Sequence, residues 1–277
     1  MAYQVSPGVN WTEIDLTTIV PAASTTEGAF AGEFIWGPAN EIHTISNEVE
    51  LVTWFGKPSA NTSRTTQIQG WWTAANFLAY GDNLKIVRSL AAGDKNSSAK
   101  GSGLLIKNKE DYELRYTRIS STNATANAAG MFVAKYAGDL GNGLRVSVFA
   151  NNSTGDFNSW AYSSAFEGAP GTSAYANTRG GTGDEMHIVV VDNLAGTFSG
   201  TPNAVLERFS YVSKAFDATN DDGTSNYYLN VINDRSKYIY VMHHAQKANG
   251  AADTTTWGLP AENTQFAEGA TNYTDTL

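Results

Sequence analysis

The spacing of apolar positions changes several times along this chain, and each change marks an element. From Gly28, the run Ala29-Phe30-Ala31-Gly32-Glu33-Phe34-Ile35-Trp36 alternates with the period of a strand and stops at Gly37-Pro38. Ser46-Asn47-Glu48 predicts a helix start. Val49, Val52 and Phe55 follow at near-helical spacing, and Gly56 supplies the stop. A longer helix is expected from Thr66 to Tyr80, with Ile68, Trp72, Ala75, Leu78 and Ala79 on one face. Leu84-Lys85-Ile86-Val87-Arg88 reads as a short strand. Strand, two helices and strand is the grammar of an α/β layer.

The pattern weakens over residues 91–128, which are rich in Ser, Asn, Gly and Lys and hold only weak strands at Leu104-Leu105-Ile106 and Leu114-Arg115-Tyr116. This stretch reads as an insertion or surface excursion. Strand character resumes at Phe132 to Tyr136 and at Leu144 to Phe149, around a glycine-rich bend, and a long glycine-rich loop is expected up to Gly183. Met186-His187-Ile188-Val189-Val190-Val191-Asp192 is the strongest strand of the chain; Thr197-Phe198-Ser199 is expected to return from it as a hairpin. Val205, Phe209, Val212 and Phe216 predict an amphipathic helix. Tyr227 to Ile232 reads as a short helix and Lys237 to Met242 as a buried strand. After His244 a polar tail follows, with no closing element expected.

The first twenty residues read as an extended arm. Pro7-Gly8 marks a turn, Val9 to Leu16 alternates unevenly, and Thr17-Thr18-Ile19-Val20 leads to Pro21. A terminal strand without a neighbouring hairpin partner either joins a distant strand of its own sheet or is donated to another subunit.

Composition narrows the function classes. The chain has 277 residues, 18 Lys+Arg against 27 Asp+Glu and a net charge of −9, which disfavours a phosphate-binding basic surface. Hydrophobic residues at 42% exclude a disordered chain. There is no cysteine, so disulfides, thiolate nucleophiles and Cys-ligated metals are excluded. Met1 to Gly8 lacks the basic and apolar regions of a signal peptide, and no apolar run is long enough for a membrane helix; folding in a cytoplasm is expected.

Candidate chemistry is sparse. His243-His244 would point to opposite faces of a strand and cannot share one ion there. Gly138, Gly141 and Gly143 are spaced unlike a dinucleotide fingerprint and precede a strand, so they read as a bend. Asp217 to Leu229 lacks the first and last ligands of a calcium loop and reads as a solvated turn. No Gly-x-Ser-x-Gly elbow or P-loop occurs. No catalytic residue, cofactor site or metal site is therefore assigned, and no enzyme is expected. Most aromatic residues fall inside the expected elements. Trp160 falls in the glycine-rich loop, which leaves open a carbohydrate-binding or virion decoration module as the alternative function.

Six segments, in order, resemble the contractile tail sheath proteins of T4-type bacteriophages. Ser6-Pro7-Gly8-Val9 with Glu13-Ile14-Asp15 is similar to the sheath N-terminal arm. Gly32 to Ala39, leading into Thr44 to Leu51 and Phe55-Gly56-Lys57-Pro58, resembles the family's core block, and Ala75 to Arg88 continues it. Lys135-Tyr136-Ala137-Gly138-Asp139-Leu140-Gly141-Asn142 is similar to the family's Tyr-Pro-Gly-Glu-x-Gly-Asn element, with Ala137 in place of proline. Asp184 to Asp192, and Val205 to Arg208 with Ser213-Lys214-Ala215, extend the match.

The resemblance implies a mixed α/β (α+β) fold: a sheath-type core domain whose mixed sheet is flanked by helices, a loop-rich protruding insertion and an extended N-terminal arm. The expected organisation is arm 1–20, first part of the core 21–92, surface insertion 93–128 and second part of the core 129–277, with the tube-facing C-terminal domain absent. It implies a virion structural subunit, made in the host cytoplasm, that stacks in hexameric homo-oligomeric rings around the tail tube and contracts to drive that tube through the host envelope. Tyr3, Val5, Val9, Trp11, Glu13, Ile14 and Leu16 are the candidate residues of an inter-subunit donated strand. Partners are other sheath copies, the tube protein and the baseplate, with neither nucleic acid nor a membrane anchor. Family members are longer, so a fragment, a truncated frame or a reduced sheath-like protein is expected. The tube contacts and a second, C-terminal arm are not carried over.

Overall fold

In the computed structural model the structure describes residues 27–58, 65–100, 103–116, 129–150, 153–193, 196–244, 256–266 and 273–277. The fold is mixed α/β. A three-stranded sheet is built from β1 (Glu27–Glu33), β2 (Ile42–Ile45) and β3 (Asn83–Ser89) in the order β1-β3-β2. β1 runs parallel to β3, with Glu27 opposite Asn83 and Glu33 opposite Ser89, while β2 is antiparallel to β3. Helices α1 (Glu48–Phe55) and α2 (Thr65–Leu78) make the crossover that a parallel pair requires.

α1 begins where the sequence places its start. The Asn47 side chain accepts from the Glu50 amide at 2.9 Å, and the Ser46 amide and hydroxyl donate back to the Glu50 carboxylate at 2.9 and 2.8 Å. This reciprocal cap satisfies free amides of the first turn. Those donors hold the Glu50 carboxyl below the usual range. Gly56 ends the helix with φ 77°, a left-handed conformation that glycine adopts without strain.

The inward faces differ from expectation by about one residue. In α1, Leu51 and Phe55 are buried and Val49 is 76% exposed; in α2, Gln67, Gly70, Trp71, Ala74 and Ala75 are buried and Trp72 is 52% exposed. Gly70 explains the rotation: a Cβ there would stand 3.1 Å from the Glu33 carbonyl oxygen, so α2 turns its thinnest stripe against β1. Phe34, Ile45, Leu51, Phe55, Trp71, Leu84 and Ile86 form this layer's core.

The second sheet is antiparallel, in the order β7-β6-β5-β9, from β5 (Leu144–Phe149), β6 (Glu185–Asp192), β7 (Val205–Ser213) and β9 (Tyr273–Thr276). Three expectations fall here. The segment with Val205, Phe209 and Val212 is a strand and not a helix. Its ladder with β6 shifts register between Met186 and Ile188 and between Val190 and Val191, and Tyr211 sits at φ 52°. Bulges of this kind break the period of two and leave apolar residues at spacings of four and three. The tail, expected to trail off unpaired through Tyr273, instead closes the sheet as β9 on β5. Thr197 to Ser199 is a turn; the return strand is β7.

The expected loop before Gly183 carries α4 (Thr154–Ser159), a 3-10 turn at Ser163–Ala165 and α5 (Ala174–Asn177), the helices capped by Ser153 and Ser173. It brings Phe157 and Trp160 onto Phe149, Val189 and Val191, so the second sheet is covered on that face too. The other face, with Met186, Ile188 and Val190, enters the main core with Val146, Val148, Tyr228 and Ile232.

A short pair, β4 (Phe132–Ala134) with β8 (Ile239–Val241), follows the expected strands. Leu114 to Tyr116, expected as a weak strand, belongs to helix α3 (Lys109–Tyr116), whose start is fixed by Asn108 Oδ1 accepting from the Asp111 amide at 2.9 Å. Leu104, Ile106, Tyr112 and Tyr116 pack on Val133, Tyr240 and Met242, so residues 103–116 lie against the β4–β8 pair. Helix α6 (Tyr228–Arg235) precedes β8. Arg88, only 1% exposed, ties the layers together, donating to the carbonyls of Phe34 at 2.9 Å, Gly37 at 2.6 Å and Ala137 at 2.6 Å.

Candidate functional site

Tyr3, Val5, Val9, Trp11, Glu13, Ile14 and Leu16, the candidate strand-donating residues, lie outside the described residues. Among the described residues no group of three or more His, Asp or Glu side chains is placed to hold a metal ion, and no helix is long and apolar enough to cross a membrane. His244 Nδ1 lies 2.6 Å from the Tyr228 hydroxyl, and burial pushes its imidazole down to about 4. His243 Nδ1 instead faces the His244 carbonyl at 3.1 Å, so the pair is engaged locally. Gly138 and Asp139–Gly143 form a tight 3-10 connection between β4 and β5. Asp222 caps its own exposed turn through Thr224.

Trp160 is not a platform for sugar stacking. It is 8% exposed, its Nε1 donates to Ser147 Oγ at 3.0 Å, and its ring is stacked on Phe166 at 5.5 Å. The alternative as a carbohydrate-binding module loses the ring on which it stood.

What the molecule does present is an open sheet edge. β7 is the outer strand of its sheet, and among the described residues no strand pairs beyond Val205 to Ser210. At its C-terminal end the edge is closed: the Asn226 side chain donates to the Tyr211 carbonyl at 3.0 Å, and the Ser213 amide donates to the Asn226 carbonyl at 2.8 Å. A groove of about 490 Å3 runs beside the open stretch, between Glu207, Phe209 and Ser210 on β7 and Asn220, Val231 and Arg235.

The strand is held rigidly from behind. His187, buried beneath it, accepts the Tyr211 amide on Nδ1 at 3.1 Å and donates from Nε2 to the Gly168 carbonyl at 2.8 Å. Burial pushes its pKa down, and the Gly168 contact only partly offsets this, so the ring is neutral and the tautomer is fixed by its two partners. Glu207 accepts from Ser236 Oγ at 2.6 Å and from the Lys237 amide at 2.7 Å, pinning the end of α6 to the strand. An unpaired row of amides and carbonyls on a rigid strand can accept one further strand. Reading Val205 to Val212 as a helix hid this edge. The signal that could have found it is the Asn193-to-Pro202 turn directly after β6, which favours an adjacent antiparallel strand.

No protein-family model matches the chain. The tail sheath protein of Salmonella phage ViI is 31% identical over 195 residues, covering 70% of this chain and 26% of the relative. The tail sheath protein of Enterobacteria phage T4 is 41% identical over 95 residues, 34% of this chain and 14% of that protein. The tail sheath protein of Vibrio phage KVP40 is 40% identical over 84 residues, 30% and 12% of the two chains. A solved structure, the sheath tail protein Lin1278 of Listeria innocua, aligns over 79% of this chain and 31% of its own at 11% identity, with a TM-score of 0.36. The chain thus spans about a quarter or less of the length of the curated relatives it matches. This chain is a homologue of the tail sheath protein of phage ViI over 70% of its own length, and of those of phages T4 and KVP40 over about a third of it.

Proposed function

We propose that the chain serves as a structural subunit of a contractile phage tail sheath. Copies self-assemble into stacked hexameric rings around the tail tube, meet the baseplate, and contract to drive the tube through the host envelope. It is made in the host cytoplasm, resides in the virion and performs no catalysis. The observation that carries this is the 31% identity with the ViI sheath protein over 195 residues. The open edge of β7 supports the mode of linkage: residues 3–16 of one copy, with Tyr3, Val5, Val9, Trp11, Glu13, Ile14 and Leu16, add a strand to a neighbour. Backbone hydrogen bonds then hold subunits together while they rotate and slide past one another.

Deleting residues 1–16 is expected to leave a folded monomer that no longer assembles. Light scattering and negative-stain microscopy, on the chain alone and mixed with a full-length sheath protein, read the outcome. Normal rings or tubes from the deletion variant would remove the arm from the linkage. A wild-type chain that neither self-assembles nor joins full-length sheath would count against the subunit reading.

A further inference from the structure

A second groove, of about 920 Å3, lies between the C-terminal end of α1 and the turn from α6 to β8. Its floor is aromatic: Trp36, Phe198 and Tyr238 meet edge to face, at ring separations of 5.1 and 5.2 Å. Its rim is cationic. Lys57, Arg235 and Lys237 line it, all exposed; among the described residues neither Lys57 nor Lys237 is ion-paired, and Arg235 has the exposed Asp222 carboxylate in its field. The one acid of the lining, Asp234, has Lys109 at 3.4 Å. A positive, aromatic groove on a chain of net charge −9 fits an acidic segment with alternating apolar residues. Arg235 also lines the groove beside β7, so the two grooves meet at the end of α6.

We propose that Trp11-Thr12-Glu13-Ile14-Asp15-Leu16 of a second copy seats in this groove. Extended backbone alternates its side chains, which places Ile14 and Leu16 on one side and Glu13 and Asp15 on the other. The aliphatic pair lies on the aromatic floor, and the carboxylates face Lys57, Arg235 and Lys237. Six extended residues span about 20 Å, and the ten residues between Leu16 and Glu27 reach up to about 35 Å. The assignment rests on the arm crossing to a neighbour. It narrows the donated strand: Tyr3, Val5 and Val9 are left for the open edge of β7, whose backbone bonds are blind to sequence, while Trp11 to Leu16 pass into the groove beyond Arg235, which reads their side chains and sets the register.

The absence of cysteine makes the test direct. Full-length Ile14→Cys is mixed with full-length Thr53→Cys, whose cysteine is at an exposed position lining the groove, and oxidised mildly. A mixed covalent dimer is expected at least ~10-fold faster than with Ser210→Cys, on the open edge of β7. The link is expected to slow as salt rises, because the Debye length falls from about 8 Å at 0.15 M to about 3 Å at 1 M. A charge swap guards against an unfolded variant: with Ile14→Cys present, Glu13→Lys/Asp15→Lys should lose the link, and Lys57→Glu/Lys237→Glu in the Thr53→Cys partner should restore it. Preferential linking to Ser210→Cys would overturn the groove while leaving the donated strand standing. A disulfide within one Ile14→Cys/Thr53→Cys monomer would overturn the second copy as its source, and no rescue by the swap would overturn the charge pairing. Self-assembly of the unaltered chain, followed separately, tests the subunit reading on which the assignment rests.

Discussion

The two sheets cover their faces in different ways. Among the described residues the three-stranded sheet buries one face, against α1 and α2, and β3 alternates accordingly, with Leu84, Ile86 and Arg88 inward and Lys85 and Ser89 outward. The four-stranded sheet is covered on both faces. β6 is buried along nearly its whole length because the main core takes Met186, Ile188 and Val190 and the α4 region takes Val189 and Val191. A continuous apolar strand is the mark of a sheet covered twice, and an alternating strand of one covered once. The cover on the second face is a segment that composition alone presents as loop.

Trp160→Ala sharpens this contrast most. It removes the ring packed on Phe149, Phe157 and Phe166 and leaves Ser147 without its indole donor. A loss of about 3–5 kcal/mol is expected from an emptied aromatic site, read as a lower urea midpoint. A change below about 1 kcal/mol would mean that the second cover contributes little.

An intermediate effect comes from Lys214 at the end of β7. Its ammonium is buried, donates to the Ala150 and Gly183 carbonyls at 2.8 Å each, and lies 5.6 Å from the Trp257 ring. Burial pushes its pKa down to about 8, against the opposing pull of Asp184 and Glu185. The unfolded chain keeps this proton up to about pH 10.5, so between pH 8 and 10.5 the unfolded state binds more protons and stability rises with pH. The gain is at most about 3 kcal/mol. Above about pH 10, Tyr112, Tyr227 and Tyr240 act in the opposite sense, since burial raises their pKa values. Denaturation midpoints of wild type and Lys214→Met from pH 7.5 to 9.5 isolate the effect: the wild type should climb and the variant should stay flatter. Parallel curves would disprove it.

The smallest effect belongs to the once-covered layer. Trp72 is half exposed and touches Trp71 edge to face at 5.0 Å. Trp72→Ser should cost about 1 kcal/mol or less. A loss as large as that of Trp160→Ala would show that the outer face of α2 is covered in solution.

Much of this was legible in the residues. The caps of α1, the strand–helix–helix–strand order of the first layer and the strand at β6 rest on local signals: Asn47, Gly56, the shift of apolar spacing and an unbroken apolar run. What could not be read depended on partners distant in sequence. The choice between Trp71 and Trp72 as the buried ring is made by Gly70 meeting Glu33, a contact that no period of 3.6 encodes. β7 was lost because its bulges give Val205, Phe209 and Val212 a helical spacing. β9 was lost because four polar and aromatic residues form a strand only when β5 offers an edge. The expected arm lies outside the described residues, and the two grooves become visible only once α6, β7 and α1 are brought together.

The pairing of β9 with β5 also sets a clock. On the ribosome, β5 emerges roughly 125 residues before β9, which at about 5–20 residues per second is a delay of some 6–25 s. Throughout that interval the β9-facing edge of β5 is unpaired, open to the same edge of other nascent copies. Arg145 stands at one end of the exposed strand, between hydrophobic neighbours Leu144 and Val146, where a charge acts as a gatekeeper against premature pairing.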